Sequence, residues 1–158
     1  MKNTAISTFV VIMLLSFVAC KPIQTAESSE SASTPSQQSF VSIFEIPATN
    51  ITRAIDFYQG ILAIKIETYD FGEMQMGVFP YENQMVTGTI IQGEGYQPSA
   101  DGPTLYLNAG IDLQPMLDRV SINGGDILLP KTPHADESGY FALFLDSEGN
   151  KIGLHSTK

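Results

Sequence analysis

The sequence predicts an α+β domain in which one strand–helix–strand–strand–strand unit is written twice. Three observations carry this expectation. Two stretches place apolar residues at i, i+3, i+4 and i+7, the spacing of one helical face. Each is preceded by one run rich in β-branched and aromatic residues and followed by three more such runs. A Gly- and Pro-bearing segment, GEGYQPSADGP (93–103), separates the two sets as a connection would.

In the first unit FVSIFEI (40–46) reads as a strand, and Asn50 is placed to cap a helix. Ile51, Ala54, Ile55 and Tyr58 form the helical face, and Gly60 suits the position just past its end. LAIKIETY (62–69) and Gly72–Phe79 alternate apolar and polar residues, and VTGTIIQ (86–92) is the fourth strand. In the second unit TLYLNA (104–109) is the opening strand, Asp112 the cap, and Leu113, Met116, Leu117 and Val120 the helical face. Pro115 falls in the first turn, where no intrahelical N–H bond is lost. Gly124 and Gly125 end the helix. Strands over 126–129, 140–146 and 151–155 complete the unit, the last two joined by the turn Ser147-Glu148-Gly149-Asn150.

The N-terminus reads as an address. Lys2 precedes an apolar stretch from Ala5 to Ala19 that would span about 22 Å as a helix. That is short of the roughly 30 Å hydrocarbon core, so a secretory signal fits better than a membrane span. The stretch ends in Phe17-Val18-Ala19-Cys20, and Cys20 is the only cysteine. This resembles a bacterial lipobox, with Phe17 in place of the usual Leu. The resemblance implies a signal peptide over 1–19 and lipidation of Cys20. It places the protein in the cell envelope, and Lys21 in place of Asp favours the outer membrane if the source is Gram-negative. Residues 21–39, rich in Ser, Thr, Glu, Gln and Pro, cannot bury enough surface to offset chain entropy, so 20–39 is expected to be a lipidated tether.

Composition excludes several function classes. The formal net charge of −9 and pI near 4.4 argue against nucleic acid, whose phosphates require clustered Lys and Arg. One cysteine excludes an internal disulfide framework and any multi-cysteine metal site. There is no Gly-x-Ser-x-Gly elbow. The 93–103 segment lacks the Gly-Lys-Ser/Thr ending of a phosphate loop.

Two phrases carry a further resemblance. FEIPATNITRAIDFYQGILAIKIE, with Asn50-Ile51, Phe57-Tyr58 and Gly60-Ile61-Leu62, resembles the opening of a vicinal oxygen chelate module. This is the glyoxalase / bleomycin-resistance / extradiol dioxygenase superfamily. FALFLDSEGNKIGLHS, with Asp146, Gly149 and Ile152, resembles its closing hairpin. The likeness covers about 40–157. It implies two tandem βαβββ modules (about 40–92 and 104–158) forming curled mixed sheets around a cleft. Metal-dependent members hold a divalent ion on His, Glu or Gln at four strand positions. Carried over by spacing, those positions fall on Ile43, Gly88, Leu105 and Gly153, none of which offers a side-chain donor. No metal or other cofactor is therefore expected.

Candidate ligand-binding residues follow from chemistry and strand parity. Ile43, Glu45 and Pro47 share one face of the first strand, opposite Phe44 and Ile46. Glu45 would face the cleft, where its carboxylate binds a cation or acts as a base if burial raises its pKa. Tyr69, Glu73, Gln75 and Tyr140 are placed to reach the same cleft. His134, beside Asp136 and Glu137, has metal-ligand chemistry but sits in a polar loop, and His155 reads as structural or exposed. No catalytic residue is assigned. The expected function is a membrane-tethered, metal-independent module that binds a small molecule, cationic ligands included, with a homodimer as the family arrangement. The alternatives are an enzyme of the superfamily (lyase, isomerase or dioxygenase) with a non-standard metal site or metal-free acid–base chemistry, and a partner-binding lipoprotein without a small ligand.

Overall fold

Alternation of side chains along paired strands decides which residues can share a core and which are left outside it. The structure, a computed structural model, describes residues 39–158. The predicted signal peptide, Cys20 and nearly all of the tether lie outside the described residues. Two units succeed one another: β1 (Ile43–Pro47), α1 (Ile51–Leu62), β2 (Glu67–Asp70), β3 (Gln75–Val78) and β4 (Thr87–Gln92), then β5 (Leu105–Asn108), α2 (Gln114–Ile122), β6 (Asp126–Pro133), β7 (Tyr140–Leu145) and β8 (Lys151–Ser156). The strand orders β1-β4-β3-β2 and β5-β8-β7-β6 are the same topology twice. In each sheet the first and last strands of the module run parallel and the other pairs antiparallel. The fold is α+β, two tandem βαβββ modules with mixed sheets that do not close on each other.

Register assigns the faces. Phe44 lies opposite Gly88, and Ile46 opposite Ile90, whose other neighbour is Gly77. This face packs on α1: a Cβ on Gly77 would meet Ile55. In the second sheet Leu105 pairs with Ile152 and Leu107 with Leu154, beside Phe144 and Ala142. The helix-bearing faces of both sheets enter one core with α1 and α2. Phe57 of α1 sits edge-on to Tyr58 and 6.0 Å from Phe144 of the second module. The remaining faces of both sheets lie outside this core.

Polar bonds join the modules at the N-terminus of α1. Asn50 caps the helix as predicted, its side chain accepting from the Arg53 N–H. The unpaired N–H groups of Thr49 and Asn50 donate to the Glu148 carboxylate from the β7–β8 turn, at 2.9 and 3.0 Å. Arg53 closes on Glu148 with two nitrogens. The buried Tyr58 hydroxyl donates to Asp146 at 2.7 Å, and Asn150 donates to Asp146 and to the Pro47 carbonyl. Burial, and then the neighbouring Asp146 charge, push the Tyr58 phenol well up. The two phrases that carried the family resemblance therefore meet in space. Their residues hold helix to hairpin.

Several predicted boundaries move. β1 begins at Ile43 instead of Phe40, and Leu62 belongs to α1 instead of β2. The helix ends on Ala63 in the left-handed conformation, φ 55°. Gly60 lies within it, where a Cβ would collide with the Asn123 side chain. Gly60 is thus a close helix contact and not a terminator. Asp112 accepts from the Gln114 N–H, one residue ahead of the helix's own cap position at Leu113. β6 continues through Pro133 because two register shifts absorb its irregular pairing with β7, a pattern that alternation cannot register.

Candidate functional site

On the open face of the first sheet, pairing sets Glu45 against Thr89 and Ile43 against Thr87, with Val78 and Met76 next to Thr89 and Ile91. The side-chain oxygens of Thr87 and Thr89 are buried without a hydrogen-bond partner. Glu45 is exposed and accepts from the Tyr96 hydroxyl at 3.2 Å. Tyr96 comes from the linker, which folds back over the sheet. Burial, and then the Glu45 hydrogen bond, raise its phenol. Glu45 also stands at the rim of a cavity of about 200 Å³ between the modules, walled by Pro47, Ser99, Asp101, Leu105 and Lys151. Ser99 is fixed there by accepting from the Lys151 N–H and donating its own N–H to Asn150. Small-molecule sites usually occupy about 300–1,000 Å³, so this hollow suits part of a ligand or a very small one.

At the edge of the same sheet, Tyr69 stacks on Phe71, with ring centroids 6.4 Å apart and planes 7° from parallel. The Tyr69 hydroxyl donates to Glu67, and that bond is the first cause of its raised pKa. Both rings are substantially exposed.

The open face of the second sheet carries Tyr106, Phe141 and His155. The His134 ring lies 4.7 Å from Phe141 and 5.4 Å from His155. Sequence reasoning set the two histidines apart. Only the β7–β8 register brings them together, and it recruits Phe141 and Tyr106, which no motif marks. Asp136 stands within charge range of His134: hydrogen bonds from Ser138 first, and then His134, hold its carboxyl pKa down. Among the described residues no three His, Cys, Asp or Glu side chains are grouped so as to hold a metal.

Of the predicted binding residues, Glu45 faces the cavity between the modules, Tyr69 lies on the same open face, and His134 belongs to the second sheet's face. Glu73 is exposed in the β2–β3 turn. Gln75 and Tyr140 point the other way. Gln75 pairs with Gln92, whose side chain accepts from the Ile51 N–H of α1, and Tyr140 packs on the core under the Lys131 ammonium. Each lies one residue off the open-face parity, which the sequence alone did not define at the strand ends.

The four positions carried over as family metal-ligand sites also divide by face. Ile43 and Gly153 lie on open faces, whereas Gly88 and Leu105 lie on helix-bearing ones. The open-face neighbours at those places are Thr87 or Thr89 and Tyr106. A Cβ on Gly153 would collide with the Tyr106 ring, so this ring already fills the space a donor would need.

No protein-family model and no curated protein matches the chain. Solved structures do. Glyoxalase I from Zea mays, in a mutant form, matches with a TM-score of 0.60 and 20% identity over 73% of this chain. A glyoxalase/bleomycin resistance protein from Albidiferax ferrireducens T118 matches with 0.58 and 20% over 75% of this chain and 98% of its own. The fold is that of the glyoxalase/bleomycin-resistance proteins. The fosfomycin resistance protein FosX from Listeria monocytogenes agrees, with 0.56 and 17% over 76% of this chain and 92% of its own. The chain spans 46% of the length of the maize protein. At these identities the likeness establishes the fold, and a fold of this kind hosts many chemistries.

Proposed function

We propose that this protein is a membrane-tethered module that binds a small cationic or amphipathic molecule without a metal, at the cavity between its modules and the adjoining open face. The observation that carries the reading is Glu45. It is an exposed carboxylate at the cavity rim, held by Tyr96, beside two threonine hydroxyls that are buried and unpartnered. Acceptors in that arrangement suit an ammonium or guanidinium group, and Tyr69, Phe71 and Met76 offer the apolar surface an aromatic ligand would cover. A second copy would enlarge the small hollow by laying its open face against this one, which is the dimer the family resemblance implies. The tether is carried by the Phe17–Cys20 phrase and not by the fold.

The test is a panel of cationic aromatic ligands, with anionic analogues as controls. Cationic members should raise the melting temperature, and Glu45→Gln should weaken binding about tenfold, the loss of one charge-assisted contact. A panel that leaves the transition unmoved overturns the reading. An enzymatic reading rests on a different observation, the His134–His155 pair, which brings two potential proton acceptors together. Stoichiometric Zn, Ni, Mn or Fe in purified protein would favour that reading, and their absence with intact ligand binding would favour the first.

A further inference from the structure

One end of the first module gathers apolar side chains that no described residue covers. Phe40 and Val41 enter β1, and the β3–β4 loop brings Tyr81 and Met85 to the same end, because Ile43 pairs with Thr87 and the Ser42 carbonyl accepts from the Thr87 N–H. Tyr81 and Met85 are 64% and 62% exposed, Val41 and Ile43 about half, and Phe40 fully. Single exposed apolar residues are ordinary, but five at one end of a sheet are a patch. Charge at this end is sparse: residues 39–43 carry none, residues 79–86 carry only Glu82, and Lys65 and Glu67 stand beside Tyr81.

The chain itself indicates the occupant. The tether of the sequence reading ends at Ser39, next to Phe40 of this patch. Resting on the tether reading above, the acylated Cys20 would lie only residues 21–39 away, about 25 Å root-mean-square for a flexible segment of that length. A membrane so close is present at high effective concentration, so a patch too weak to bind by itself is sufficient once tethered. We infer that this end of the module, centred on Phe40, Tyr81 and Met85, rests on the lipid surface and orients the tethered domain. The contact is apolar and not electrostatic, because Lys65, which stands beside Tyr81, is outweighed by Glu67 and Glu82 and the protein is acidic. This leaves the opposite end of the sheet, where Phe71 lies, turned away from the bilayer.

The protein has no tryptophan, so an introduced one reports alone. Full-length acylated protein is reconstituted in phosphatidylcholine vesicles containing brominated acyl chains, as the Tyr81→Trp variant and, separately, as Phe71→Trp at the far end of the same sheet. Acylation is checked by mass and flotation. Tyr81→Trp should be blue-shifted and quenched about twofold by the bromolipid, unchanged at high salt, and less so with Met85→Ser added; Phe71→Trp should be unaffected. Equal quenching of both, or none, in protein that floats and carries the acyl mass overturns the inference while leaving the tether intact. A blue shift that grows with protein concentration and lacks bromolipid quenching means a second copy covers the patch, and also overturns it. Absence of the acyl mass on Cys20 overturns the tether and the inference together.

Discussion

At the scale of single residues, the most consequential side chain outside the candidate site is Glu148. Burial opposes its ionisation, but hydrogen bonds from Arg53, from the Thr49 hydroxyl and from the N–H groups of Asn50 and Thr49 outweigh burial and hold its pKa below the usual glutamate value. A carboxyl depressed in the fold contributes stability above its unfolded pKa and loses it as pH falls through the folded one. Melting temperature should therefore drop with acidification in the range below the ordinary glutamate value, and Glu148→Gln should flatten that dependence. At neutral pH Glu148→Ala should destabilise by about 1–3 kcal/mol, since it strips charged acceptors from a helix N-terminus. Denaturant titrations at two pH values check both. Tyr58→Phe leaves buried Asp146 short of a donor and should cost about 1–2 kcal/mol by the same measurement, with ligand binding unchanged.

At the scale of elements, the two helices and the second sheet meet at two glycines whose tolerance should differ. A Cβ on Gly60 strikes the Asn123 amide, the end of a side chain that can rotate away by giving up its bond to the Arg119 carbonyl. A Cβ on Gly125 strikes the Leu145 carbonyl at 2.6 Å and the Phe57 and Val120 side chains at 2.8 Å, none of which can yield cheaply. Gly125→Ala should thus destabilise by about 2–3 kcal/mol and Gly60→Ala by clearly less, read from urea midpoints. Equal effects would mean that the helix–helix contact is as rigid as the helix–sheet one. The helix pair is further joined by Arg119, which donates to the Ile61 carbonyl across the interface.

At the scale of the whole molecule, both sheets turn their helix-bearing faces to one core, and their other faces lie outside it, buried at Thr89 and Ile91 but exposed elsewhere. Tyr69 and Phe71 on the first, and Tyr106 on the second, remain 44–62% exposed. Burial of such faces by a second copy would stabilise a dimer through apolar contact. Sedimentation should show a dimer at micromolar concentration. Phe71→Glu with Tyr106→Glu should yield a folded monomer, since neither residue belongs to the shared core. A monomeric parent protein would remove the second copy from the proposed site and leave the cavity of about 200 Å³ as its full extent.

The sequence by itself determined the number, order and type of the elements, because strand alternation, helical spacing and the Asn50 cap are local and agree with one another. It also put Glu45 on the strand face opposite Ile46, since strand parity needs only the strand in which the residue lies. What escaped it depends on registration between strands distant in the chain. Gln75 and Tyr140 fall on the helix side, and Gly88 and Leu105 with them, because a one-residue slip in counting reverses every side chain. Tyr96 meets Glu45, and His134 meets His155, only through a linker and a loop whose paths no periodicity encodes. Gly60, read as a stop, is a contact because Asn123 lies against it. Local patterns specify elements, whereas a site is made where elements meet, and only the packed core decides which residues those are.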